Sequence, residues 1–283
     1  MDMIFLMRLR LLPWRRVCLW ALMAYFVAMA GAFILQRHFL YFPNDIYLSP
    51  HEAGTEAFFS ELSVKTEDGI ELKGWYAKAK DNKPTLILFH GNADSLRKMD
   101  FVAAPYVKEG YGFLLTEYRG FSGFKGKPTE EGLYADARAF VRGVLAQGVP
   151  ERDLVFFGHS LGTGVAVEMA KEFSNAFGLM LLSPYLSMTE MAQLRFPLFP
   201  SRYMVWDKFD SASKIGTLHM PVLIAHGTWD VVVPFDQGKA LYDLAPEPKE
   251  FHAVDKGLHN NLFINPFSTI ALEWLPKCRA CGD

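Results

Sequence analysis

Three residues in this chain have the types and surroundings for nucleophilic acyl chemistry: Ser160, Asp230 and His259. A serine hydroxyl attacks a carbonyl only when a base removes its proton, and an imidazole can take that proton and later return it to the leaving group. A carboxylate beside the imidazole holds the useful tautomer and stabilises the cation that forms. Ser160 is the centre of Gly158-His159-Ser160-Leu161-Gly162, Asp230 ends "HGTWD" and His259 ends "DKGLH". Among the other histidines, His252 falls inside a strand-like run, while His90, His159 and His226 stand at strand ends where packing or a backbone bond accounts for them. Asp207, Asp210, Asp236 and Asp255 read as caps or solvated charges.

A Gly-x-Ser-x-Gly pattern means little without a strand before it and a helix after it. Here residues 154–157 are Leu-Val-Phe-Phe, a run suited to a buried strand, and Leu161, Val165, Met169 and Phe173 recur at helical spacing. Ser160 therefore sits at a sharp strand-to-helix turn that needs glycines on both sides. Further continuous apolar runs occupy 85–89, 112–116, 179–182 and 222–225, and helical spacing separates them, as in Leu133, Ala137, Phe140, Val141 and Val144. Strands buried on both faces with helices between them predict an α/β fold with a mostly parallel, doubly wound sheet. Ahead of these, 62–66 and 70–73 alternate around Asp68-Gly69, which predicts a hairpin with one wetted face. Ligands of such sheets bind beyond the carboxyl ends of the strands, where "HGNA" (90–93), the Ser160 turn, Asp230 and His259 all fall.

The chain resembles the α/β-hydrolases and, more narrowly, the membrane-anchored Bem46-like group. The resemblance rests on "HGNA", "YRGF" (118–121), "GHSLGTGVA" (158–166), "DKFDSASKI" (207–215), "HGTWDVVVP" (226–234) and "FLYFP" (39–43), and spans 39–275. The chain departs from that group's pattern at Asn260 and Asn261, where an acidic residue is frequent, and at Ala93-Asp94-Ser95. The chain order Ser160, Asp230, His259 is the order of that fold. The resemblance also implies an oxyanion hole made by the N–H of Leu161, next after the nucleophile, and by the loop at Asn92.

An insertion at 185–215, rich in Phe, Pro and Met, is too short for a domain. It reads either as a small cap whose Tyr185, Phe196, Phe199 and Trp206 line an apolar, substrate-binding channel, or as aromatic packing against the sheet. At the N-terminus, residues 17–35 carry no charge and would make a helix about 28 Å long, close to a hydrocarbon layer. Arg8, Arg10, Arg15 and Arg16 precede this stretch and only Arg37 follows it closely, which places the N-terminus in the cytoplasm and the catalytic domain outside it. Phe39, Tyr41, Phe42 and Tyr47 are expected in the headgroup region. The rival reading is a cleavable signal peptide, with small-residue sites at 28–30 and 30–32. The division that follows is a stub and single-pass anchor over 1–37, a hydrolase domain over 38–276 and a tail from 277.

A net charge of −2 with no basic cluster beyond the first residues argues against a nucleic-acid partner. Cys278 and Cys281 form one C-x-x-C that is either incidental or a local disulfide. The reading is a serine hydrolase of ester or thioester acyl groups, working without metal or organic cofactor. A peptidase or acyltransferase on the same residues, or a silent membrane-tethered binding module, are the alternatives.

Overall fold

The computed structural model describes residues 3–43, 46–263 and 266–280, with side chains described within 14–278. In chain order the elements are α1 (Met3–Leu40), β1 (Ser60–Lys65), β2 (Glu71–Ala77), β3 (Thr85–Phe89), α2 (Leu96–Lys108), β4 (Gly112–Leu115) and α3 (Glu130–Ala146). They continue with β5 (Leu154–His159), α4 (Leu161–Glu172), β6 (Gly178–Leu182), α5 (Met188–Arg195), α6 (Ala212–Ile215), β7 (Val222–Gly227), α7 (Phe235–Leu244), β8 (Lys249–Val254) and α8 (Phe267–Ala280). One eight-stranded sheet has the order β1-β2-β4-β3-β5-β6-β7-β8. The pairs β1–β2 and β2–β4 are antiparallel, and every pair from β4–β3 to β7–β8 is parallel.

The continuous apolar runs exist because successive side chains of a strand point to opposite faces, and here both faces are covered. On β3, Ile87 and Phe89 enter one core and Leu86 and Leu88 the other; on β5, Leu154 and Phe156 divide from Val155 and Phe157 in the same way. Leu133, Phe140 and Val144 of α3 and Val165 and Met169 of α4 close the first core, whereas Met99 and Tyr106 of α2 and Phe267 and Trp274 of α8 close the second. Burying each such side chain contributes roughly 1.5–3 kcal/mol.

The hairpin differs from its expectation. β1 alternates, but β2 runs on to Ala77 and is buried from Gly74 onward, because it lies between β1 and β4 and not at the rim. Tyr41 and Tyr47 also differ. Tyr41 is buried in the first core, and Tyr47 donates to Glu61 Oε2 at 2.7 Å and meets Phe124 edge-on, so both belong to the hydrolase domain. Phe39 and Phe42 stay exposed. Asn44 and Asp45 of this stretch lie outside the described residues.

The apolar helix is longer than the stretch that predicted it, with Trp14–Leu40 long and apolar enough to cross a membrane. The boundary drawn at residue 37 thus falls inside α1, and the tail expected from residue 277 is helical as far as Ala280. Cys278 is buried, and Cys281 lies outside the described residues, as do the side chains of Arg8 and Arg10.

Candidate active site

The candidate site is assembled from the carboxyl ends of β5, β7 and β8, with β6 lying between the first two. Ser160 joins β5 to α4 with φ 50° and ψ −119°, a left-handed conformation that a serine adopts only when its surroundings impose it. Two contacts impose it here. Its N–H donates to Leu182 O at 3.0 Å, and its carbonyl accepts from Thr163 N at 2.9 Å and from Thr163 Oγ1 at 2.6 Å. The flanking glycines are needed for close approach: a Cβ on Gly162 would lie 2.0 Å from Phe89 O, and one on Gly158 would lie 2.6 Å from Gly162 O. The elbow is therefore jammed against β3, and the hydroxyl is left partly exposed at the top of the sheet.

Asp230 follows β7 and His259 follows β8. Ser160 Oγ lies 2.9 Å from His259 Nε2, and His259 Nδ1 lies 2.7 Å from Asp230 Oδ2. An ionised carboxylate only accepts, so Nδ1 carries the proton and Nε2 is left to accept from the serine hydroxyl. Asp230 Oδ1 is occupied by the N–H groups of Val232 and Val233, both at 2.9 Å. Burial pushes the Asp230 carboxyl up, but His226, His259 and the Val233 amide outweigh it and hold the group well below the usual carboxylate range. His226 itself donates from Nε2 to Val233 O at 2.9 Å and so pins the loop that presents Asp230.

His159 backs the reaction centre. Its ring packs 5.3 Å from that of His259 and 4.4 Å from Phe263, and its Nδ1 is 3.4 Å from Asp94 Oδ2. Burial pushes His159 down, with Asp94 offsetting this only in part, so a neutral ring faces that of His259.

The two residues expected at the oxyanion come from two elements, α4 and the loop after β3. Leu161 opens α4, and its N–H is one of those that no intrahelical carbonyl can satisfy. Asn92 lies on the loop after β3, where its Oδ1 accepts from Phe42 N at 3.0 Å, two residues past the end of α1. That loop is braced by a buried group the sequence reading passed over. Glu117, next after Thr116 at the end of β4, accepts from His90 Nε2 at 2.7 Å through Oε1 and from Ser122 Oγ at 2.6 Å through Oε2. Burial opposes a charged His90, but Glu117 outweighs it and the imidazole is pushed up. The position of Glu117 just past the end of β4 is the one sequence feature it shares with the other site residues.

The four aromatic residues expected to line a channel do not converge. Tyr185 is buried beneath the elbow with its hydroxyl 3.2 Å from Leu161 O, so it supports the turn and lines no channel. Phe196 and Phe199 stack on each other in the cap, and Phe199 and Trp206 meet Tyr25 and Phe33 of α1 edge-on at 5.7 and 5.0 Å. Apolar side chains do stand exposed beside the reaction centre, on the loops that carry Asp230 and His259: Trp229, Val231, Val232 and Leu258.

Fold and site geometry define an α/β-hydrolase, and the comparisons agree. The profile of the family described as serine aminopeptidase, S33, matches residues 80–208. An uncharacterised protein of Mycobacterium tuberculosis is 34% identical over 229 residues, 80% of this chain and 81% of its own length. Human alpha/beta hydrolase domain-containing protein 17B is 30% identical, covering 76% of this chain and 73% of its own. Among solved structures, an esterase of Pyrococcus furiosus superposes with a TM-score of 0.65 at 20% identity, over 84% of this chain and 98% of that one. The chain belongs to the α/β-hydrolase superfamily.

Proposed function

We propose that the protein is a membrane-anchored serine hydrolase that cleaves ester or thioester acyl groups through Ser160, His259 and Asp230. The observation that carries this reading is the unbroken chain of contacts from Ser160 Oγ through His259 to Asp230 Oδ2, at 2.9 and 2.7 Å. In the first half-reaction His259 Nε2 takes the hydroxyl proton as Oγ attacks the acyl carbon. The oxyanion is received by the N–H groups of Leu161 and Asn92, the collapsing intermediate takes the proton from Nε2 onto the leaving group, and an acyl-Ser160 remains. In the second, His259 deprotonates water, which attacks the acyl carbon, and Ser160 recovers its proton. Asp230 stays ionised and holds the Nδ1 proton throughout. The exposed Trp229, Val231, Val232 and Leu258 favour an apolar acyl group at the mouth.

The esterase fold neighbours support ester chemistry by likeness alone. The family description favours a second reading, a peptidase acting on aminoacyl amides with the same residues. The anchor reading rests on Trp14–Leu40 and on the arginines before it, which favour an N-terminus in the cytoplasm and the hydrolase domain on the opposite side. Labelling of purified full-length protein with a fluorophosphonate tests the nucleophile, and paired acyl-ester and aminoacyl-amide substrates separate the two readings. No labelling at Ser160 would overturn both.

A further inference from the structure

The cap leans against the helix that is read as the membrane span. Tyr25 Oη donates to Leu198 O at 2.8 Å, Gln36 Nε2 donates to Met204 O at 3.1 Å, and Trp206 N donates to Gln36 Oε1 at 2.8 Å. Arg37 closes the contact with a paired ion bridge to Asp207, at 2.7 and 3.1 Å. Along α1 the partly covered residues Tyr25, Met29, Ala32 and Gln36 recur every three or four positions, and Tyr25 and Gln36 at the ends of this stripe bond the cap. Tyr25 is twelve residues before Arg37, about 18 Å along an α-helix, which is more than half of a hydrocarbon layer about 30 Å thick. Tilt of the helix reduces that depth without abolishing it.

The cap tip has the composition for such a place. Leu198 is 83% exposed and Leu194 and Phe196 are at least half exposed, within a protein domain whose other large apolar side chains mostly pack inward. Part of its backbone is already paired within the cap, as lipid demands of a chain's N–H and C=O groups. Pro197 and Pro200 have no N–H, and the amides of Phe199, Ser201, Tyr203 and Met204 donate to carbonyls of the cap itself. Arg195 and Arg202, both exposed, lie within the tip near its two ends, and long arginine stems let such charges reach toward lipid phosphates.

We propose that the cap tip, residues 194–203, is immersed in the acyl layer of the membrane alongside α1, so that the hydrolase takes its substrate from the bilayer and not from water. This rests on the reading of α1 as a membrane span. The occupant of the exposed face is lipid hydrocarbon, and the substrate class is an acyl ester or thioester whose chain is dissolved in the membrane.

Nitroxide labels test it in the full-length protein reconstituted into phosphatidylcholine–phosphatidylglycerol vesicles, with Cys18→Ser, Cys278→Ala and Cys281→Ser removing the native thiols. Labels are placed singly at Leu198→Cys, at Leu22→Cys on the exposed side of α1, and at Lys80→Cys on the water-facing loop between β2 and β3. The expected result is that Leu198→Cys, like Leu22→Cys, collides more with dissolved oxygen than with a water-soluble nickel chelate, and that Lys80→Cys does the reverse. If Leu22→Cys is in lipid and Leu198→Cys is in water, the immersed cap is overturned and the anchor stands. If Leu22→Cys is in water, the anchor reading falls and the proposal falls with it. A second measurement uses Leu198→Asp, whose carbonyl still accepts from Tyr25. Turnover of a long-chain ester dissolved in the vesicles should fall about tenfold, the scale on which burial of one leucine side chain acts, while turnover of a short, water-soluble ester is unchanged. Equal loss on both substrates, or on neither, counts against the proposal.

Discussion

The elbow and the cap are held in opposite ways. The backbone beside Ser160 is close-packed: a Cβ on either flanking glycine would overlap backbone, and β5 is buried along its whole length. In the cap, α5 has no buried residue, and the segment is held by hydrogen bonds and edge-on ring contacts to α1 and by ties to the start of α3. There Glu130 accepts from Phe209 N at 2.9 Å and donates its own N–H to Asp207 Oδ1 at 3.0 Å. The elbow is fixed by close-packed sheet, whereas the cap owes its position to a helix outside the sheet.

That contrast can be broken at several points. Removing the nucleophile should have the largest effect: Ser160→Ala should abolish fluorophosphonate labelling and lower acyl release by about 10⁶, the scale seen when a triad serine is lost, with the circular dichroism spectrum retained. Asp230→Asn should lower it by about 10⁴, because the amide fixes the wrong tautomer of His259. An Asp230→Asn variant with normal rates would mean that another group orients the imidazole.

Gly162→Ala should act on the fold, not only on the chemistry. A methyl group placed 2.0 Å from Phe89 O forces β3 and α4 apart, and a loss of more than about 3 kcal/mol is the scale for backbone overlap in a core. Denaturant titration reads it. The opposite is expected in the cap. Arg37→Ala removes the ion partner of buried Asp207, which keeps the Glu130 amide, and since the arginine is 39% exposed the loss should be about 1–2 kcal/mol, confined locally. Faster amide exchange in 188–206, with turnover of a short ester kept within about twofold, would be the signature.

The smallest effect is that of pH. His259 must be neutral to accept the serine proton, so acyl release should rise with pH and then level off. Asp230 is held ionised below the usual carboxylate range, so it adds no second step to the rise. The same depressed group gives a sign for stability. Its contribution is complete above the unfolded carboxylate value of about 3.9 and is lost as the pH falls further towards its folded value. Two resolved steps in the rate profile would remove the single-base mechanism.

What was legible in the sequence was whatever is written locally. β3, β5, β6 and β7 are covered on both faces and so leave unbroken apolar runs, and Gly158 and Gly162 mark a turn whose strain is local. The aromatic residues of the insertion look alike in sequence whether they line a channel or pack, and Tyr185 packs, as the second of the two readings had it. Tyr41 was misplaced because its closeness to α1 in sequence hid its burial in the first core. The bonds of Arg37 to Asp207 and of Tyr25 to Leu198 join residues 170 and 173 positions apart, and no periodicity announces a pairing of that kind. Glu117 was missed for a different reason, since a buried carboxylate looks like any surface acid until its partners His90 and Ser122 are seen.

α1 ends at Leu40, Tyr41 is already in the core, and the N–H of Phe42 holds the side chain of Asn92. The connection has no slack, which makes it a joint without a hinge. Inserting a few glycines after Leu40 would keep every catalytic group and every residue of the helix, yet it would detach the direction of one from the direction of the other. If α1 spans a membrane and Ser160 is the nucleophile, the tilt of the helix would set the angle at which Ser160 meets an approaching acyl group.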